Sequence, residues 1–324
     1  MDYQSEFRIL TDNLTNPTLL FFVLGIIATF IKSDLEIPAA SSKFISLYLL
    51  FSIGFKGGQE LQHSGLHAEV IYMLLFGMLI SFLIPVYSFF ILKRKLNAQD
   101  AGAVAACYGS VSAVTFIAAV SFVEAMGLTF GGHMVAVMAL MESPAIIAGV
   151  ILMRKFDERK QQKLKYSSIL QHAFTNGSVL LITGSLLIGL IADSKQAEGI
   201  KPFTTDIFKG FLAIFLLEMG MVASRRFAAF KKYGWFVTLF AICIPVINGC
   251  VVALLSKWVT PEYGNRFIFA VLAASASYIA VPAAMRLVAP KADPGLYIPM
   301  SLGVTFPFNI TIGMPLYFFI VHHT

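Results

Sequence analysis

Apolar runs long enough to cross a hydrocarbon core of about 30 Å recur along this chain and leave little room for any other architecture. They fall near residues 17–31, 44–55, 70–92, 98–126, 131–153, 174–192, 204–222, 235–255, 266–288 and 294–321, about ten in all. Soluble domains carry about a quarter charged residues; here 57% of the chain is hydrophobic and 13% charged. The expectation is an all-α membrane protein of about ten transmembrane helices. The second run is short enough to be a buried or interfacial helix instead.

The formal charge of +6 does not point to nucleic acid, because Lys and Arg sit in short clusters between apolar runs. With the N-terminus outside, about seventeen of the 24 basic residues fall on the inner side, among them Lys93, Arg94 and Lys95, Arg154 to Lys165, and Arg225, Arg226, Lys231 and Lys232. That bias sets both termini outward, as in a multi-pass protein of a bacterial inner membrane contacting the lipid bilayer. Residues 1–16 lack the basic start and cleavage site of a signal peptide, so the first span is expected to be retained. Cys107, Cys243 and Cys250 lie within apolar runs without ligand spacing, and His63 and His67 have no third ligand nearby, so neither disulfides nor a transition metal is expected.

The longest polar segment, 154–173, divides the chain into residues 1–153 and 174–324, five spans each. Halves with an odd number of spans have opposite orientation, and the halves resemble each other. The run YGSVSAVTFIAAV from Tyr108 lies over AASASYIAVPAAM from Ala273, matching Ser110 to Ser275 and Ser112 to Ser277. LLFSIGF from Leu49 lies over FLLEMGM from Phe215, Pro85 and Pro245 fall at comparable depths, and MESPAIIAG from Met141 sits where TFPFNITIG from Thr305 does. Inverted repeats of this kind belong to secondary transporters, whose sites lie at the midplane where two helices are broken.

Small polar residues inside spans four and nine predict those breaks, near Gly109–Ser112 and 274–277. Broken backbone is tolerated at membrane depth only when buried in protein or lining a cavity. There the N–H groups opening each second half-helix favour an anion. The anion site is therefore placed at Gly109, Ser110, Val111 and Ser112 in one half and Ser275, Ala276, Ser277 and Tyr278 in the other.

Ionisable residues at membrane depth are functional candidates by default. Glu142, just ahead of Pro144, is expected to bind sodium together with Thr115, Thr305 and Asn309. Glu218 is equally deep, and Lys56 reads as a lysine snorkelling from the end of a short span.

The Gly-Ser-Val-Ser-Ala-Val-Thr run, Met-Glu-Ser-Pro, Ser-Ala-Ser and GVTFPFNITIGMPLY together resemble the sodium-dependent bicarbonate transporters of cyanobacterial type, over nearly the whole chain. The resemblance implies a core domain with two broken helices, a gate domain, a homotrimer, and sodium-coupled bicarbonate uptake with no cofactor beyond the coupling ion. Control by a PII-like regulatory protein is a further, weaker implication, because the loop between the halves is short. This chain departs from the family's Ser-Ser-Ser-Asp run, where it has Ser275, Ala276, Ser277 and Tyr278, and from the following glycine-serine, here Ala280 and Val281. The departure leaves open another small anion or an organic acid as substrate. An intramembrane enzyme is disfavoured, since the chain has no HExxH and no GxSxG, and broken helices within one chain favour alternating access over a passive channel.

Overall fold

A computed structural model describes residues 17–65, 67–156, 177–230, 233–289 and 291–324. Every regular element within them is helical. Helix α1 spans Pro17–Phe30, α2 Ala39–Ser64, α3 Ala68–Leu92, α4 Ala98–Gly109, α5 Ala113–Ala125 and α6 His133–Phe156. Then follow α7 at Gly177–Ile191, the short α8 at Ser194–Glu198, α9 at Phe208–Phe230, α10 at Trp235–Leu255, α11 at Tyr263–Ala274 and α12 at Ala280–Val288. The final segment, α13, runs Pro294–His323.

Among the described residues, six segments are long and apolar enough to cross a bilayer by themselves: Ala68–Leu92, Ala98–Ala125, His133–Phe156, Pro202–Arg226, Trp235–Trp258 and Pro294–His323. The chain is built as a multi-pass membrane protein. Its helices show lipid-facing stripes, such as Leu20, Leu24 and Ile27 along α1 and Ile71, Leu75, Leu79 and Phe82 along α3, all exposed. Helix α4 has no such stripe; Ala101 through Tyr108 are buried on every side. The connector expected at 154–173 lies outside the described residues beyond Phe156, where α6 ends.

The second span differs from its expectation. The apolar run 44–55 is only the middle of the 26-residue α2, which at 1.5 Å per residue is about 39 Å long. Hydropathy falls at the first charge, whereas Lys, Gln and Glu remain good helix formers. The polar turns also find partners. Gln59 donates from Nε2 to the carbonyls of Gly189 and Ala192, and Lys56 pairs with Glu124 at 3.2 Å. Lys56 is thus an ion-pair partner inside a helix, not a snorkelling residue at its end.

Glycines bring backbones into contact at two helix pairs. Gly25 of α1 faces the Leu217 carbonyl of α9, and Gly220 of α9 faces the Phe22 carbonyl of α1. In α2 and α7, Gly54 lies against Ile182, Gly58 against Leu186, and Gly189 against Phe55. In each case an added Cβ would run into the partner's backbone, the close approach that small residues permit in membranes. Around α4 the same device recurs, with a Cβ on Gly149 falling 2.7 Å from that of Ala106.

Helix α13 is uneven. Met300–Thr305 and Asn309–Gly313 form π turns, in which Phe306 N–H donates to Ser301 and Met314 N–H to Asn309, five residues back. Pro299, Pro307 and Pro315 cannot donate, so the ladder around them is re-registered.

Candidate functional site

The break in the fourth span is real and short. Helix α4 ends at Gly109 and α5 starts at Ala113; of the three residues between them, Ser110 and Ser112 are extended. Gly109 is required there, because a Cβ would collide with the Pro85 ring and fall 3.0 Å from the Ser81 carbonyl. Helix α11 ends at Ala274, and residues 275–279 precede α12. Ser110 and Ser275 terminate their helices in nearly the same conformation, φ −84° and ψ 170° against φ −81° and ψ 166°.

The two breaks are bonded to each other. Ser112 N–H donates to Ser275 Oγ at 3.1 Å, and Ser277 N–H donates to the Cys107 carbonyl at 2.8 Å. Asn309 Nδ2 donates to the Ala274 carbonyl at 2.7 Å, and Asn248 Nδ2 to that of Ala273 at 3.2 Å. These amides satisfy carbonyls that the broken α11 leaves without helical partners.

The serines that the repeat alignment pairs each accept an early N–H of their second half-helix, Ser112 as the N-cap of α5 and Ser277 from two residues ahead of the N-cap of α12. Ser112 Oγ accepts from Thr115 N–H at 3.2 Å, and Ser277 Oγ accepts from Val281 N–H at 3.4 Å. Pro282 occupies the third position of α12 and has no N–H. What remains at the two starts are the N–H groups of Ala113 and Val114 and of Ile279 and Ala280, first-turn donors without intrahelical acceptors.

All four of those residues line one cavity of about 60 Å³. Val111, Ser112, Ser277 and Tyr278 share its wall with Glu142, with Ser46 and Leu50 of α2, and with Phe215 of α9. A water needs about 10–15 Å³ by this measure, so the space suits a few heavy atoms. Two helix N-termini and one carboxylate thus converge on a small void. Glu142 has no hydrogen bond or ion pair among the described residues, and it sits mid-helix in α6, which continues unbroken through Pro144. A carboxylate held this way at membrane depth calls for a cation or a proton.

Not every expected residue meets there. Gly109, Ser110, Ser275 and Ala276 form the breaks but do not line the cavity; Ser110 Oγ is buried without a hydrogen-bond partner among the described residues. Thr115, Thr305 and Asn309 are not on its wall either. Thr305 Oγ1 lies 2.8 Å from the Tyr108 hydroxyl and donates to the Ala241 carbonyl at 2.7 Å. Asn309 Oδ1 accepts from the Tyr317 hydroxyl at 3.1 Å. No hydrogen bond among the described residues joins Glu142 to Thr115, Thr305 or Asn309. Tyr278, where the resemblance leads one to expect an aspartate, reaches Met219 Sδ at 3.8 Å and packs edge-on against Phe306 at 6.2 Å.

Residues 17–322 match the model of the Na+-dependent bicarbonate transporter superfamily. The chain belongs to that superfamily. No curated protein matches it. Membership makes this a transporter family protein whose implied substrates are bicarbonate and sodium.

Proposed function

We propose that the protein takes up bicarbonate across the inner membrane in symport with sodium, by alternating access about two inverted five-span repeats. One observation carries the reading: Ala113 and Val114 at the start of α5, Ile279 and Ala280 at the start of α12, and Glu142 line one small cavity. Helix N-termini favour a negative charge by about 0.3–1 kcal/mol each when exposed, and by more when partly buried. An anion against them and a cation against Glu142 neutralise each other, so each ion completes the site for the other. Ser112, Ser277 and Tyr278 offer hydroxyl oxygens beside the cation. Thr115, Thr305 and Asn309 bond within the frame that holds the breaks.

The size of the cavity favours a small anion over an organic acid, whatever Tyr278 does to selectivity. Matching serines at the two breaks support the repeat, and the basic clusters support outward termini. Assembly as a homotrimer and control by a PII-like protein rest on the resemblance alone and belong to this proposal as tests to be made by native mass measurement.

Uptake of radiolabelled bicarbonate into proteoliposomes, with an inward gradient of sodium or of choline, tests the reading. Accumulation above equilibrium with sodium only is expected. Equal uptake under both gradients rejects coupling, and no uptake by monodisperse protein rejects the substrate.

A further inference from the structure

We propose that a second, larger cavity is the entry vestibule of the anion path, and that Lys56 and Glu124 form the latch that holds it shut. The proposal rests on the transport reading and on outward-facing termini, which put this cavity on the outer side.

The second cavity measures about 180 Å³ and lies where α2 faces α5. Both helices line both cavities with the same face. On α2, Ser46 and Leu50 reach the anion cavity, while Ile53, Lys56 and Glu60 reach the larger one. On α5, Val114 and Ile117 face the first, Val120 and Glu124 the second. Spacings of three and four keep such residues on one side of a helix. The two cavities are therefore stacked along a single seam, parted by about one helical turn of Leu50, Ile53, Ile117 and Val120.

The walls of the vestibule belong to different helix groups. Helix α2 is fixed to α7 through Gly54 and Gly58. The connection carrying Thr129 and Phe130 is fixed to α11, where Gly131 N–H donates to Asn265 Oδ1 at 2.8 Å and Gly264 is tucked against Thr129. Phe122 of α5 stacks on Phe267 of α11 at 4.9 Å, so Lys56 Nζ to Glu124 Oε1, at 3.2 Å, crosses from one group to the other. Beside it Gly132 meets the Gly57 backbone, and a Cβ on Gly132 would fall 2.7 Å from that of Glu60. The walls touch with no space to spare.

The latch is wet. The side chains of Lys56 and Glu124 are 36% and 29% exposed, so ions in the vestibule reach them. The charged groups on its wall are Lys56, Glu60 and Glu124. An arriving anion competes with Glu124 for the ammonium, and an arriving cation competes with Lys56 for the two carboxylates. Both transported ions thus weaken the contact that bars them.

The test uses the full chain with Ile117→Cys, the residue of the apolar turn that lines the anion cavity, in right-side-out vesicles. The readout is the rate of labelling by a membrane-impermeant thiol reagent, above the background set by the natural cysteines. Adding Glu124→Gln is expected to raise the rate about two- to five-fold, the shift in open population that loss of one exposed ion pair allows. The exchange Lys56→Glu with Glu124→Lys is expected to return it, and Gly132→Ala, which wedges the walls apart, to raise it again. A rate unchanged by both Glu124→Gln and Gly132→Ala overturns the latch, as does an exchange variant that labels as fast as Glu124→Gln. Bicarbonate uptake by the unaltered chain in the same vesicles reports separately on the transport reading.

Discussion

The Ser112 N–H donates to Ser275 Oγ at 3.1 Å, so a residue at the break of one half is held by the side chain at the break of the other. Ser275 Oγ also donates to the Leu272 carbonyl at 2.8 Å, which fixes its rotamer for the task. Ser275→Ala leaves a buried donor without an acceptor, a defect worth about 1–3 kcal/mol. A lower unfolding temperature in detergent and reduced uptake are expected; an unchanged melting curve would show that the bond contributes nothing.

Gly109→Ala should be among the most damaging single-methyl changes in the chain. In an ordinary helix the substitution gains up to about 1 kcal/mol. Here the methyl meets the Pro85 ring, and overpacking of this kind costs about 1–3 kcal/mol. Yield of folded protein should fall and recover when Pro85→Ala is added. Failure of the second change to rescue would place the defect elsewhere.

Ala113→Leu fills the anion cavity from its own floor. Ala113 lines the void beside Val114 and Ser112, and a leucine leaves no room for an ion within about 60 Å³. Bicarbonate uptake should be lost while size-exclusion behaviour and helicity stay as they were. Full uptake in a folded variant would remove this cavity from the path.

Glu142→Gln keeps the shape of the wall and removes its charge. The sodium concentration for half-maximal uptake should rise at least tenfold, the effect of losing about 1.4 kcal/mol of interaction with the cation. A sodium titration that superimposes on that of the unaltered chain would exclude this carboxylate as a ligand.

Both breaks were legible because a bilayer penalises them. Gly109, Ser110 and Ser112, and later Ser275 and Ser277, stand out against apolar neighbours, and the helices stop where these residues begin. Helix α2 was half legible, since hydropathy follows apolar side chains and is blind to a charged turn that finds partners such as Glu124. The cation ligands were least legible. Thr305 and Asn309 carry oxygen atoms that suit a cation, but sequence does not say what else those side chains touch, and here they bond to Tyr108, Ala241, Ala274 and Tyr317. Lys56 and Glu124 are 68 residues apart, and nothing in either local pattern announces the other.

The reciprocal contact of Gly25 with Leu217 and of Gly220 with Phe22 sets a limit on motion. Main chain lies on main chain there, so no rotamer can flip to offer a second arrangement at similar energy. Close-packed interfaces shift between discrete fits rather than deforming smoothly. Helices α1 and α9 are thus expected to keep their spacing in any rearrangement, a ruler inside the molecule against which displacement of other helices can be measured.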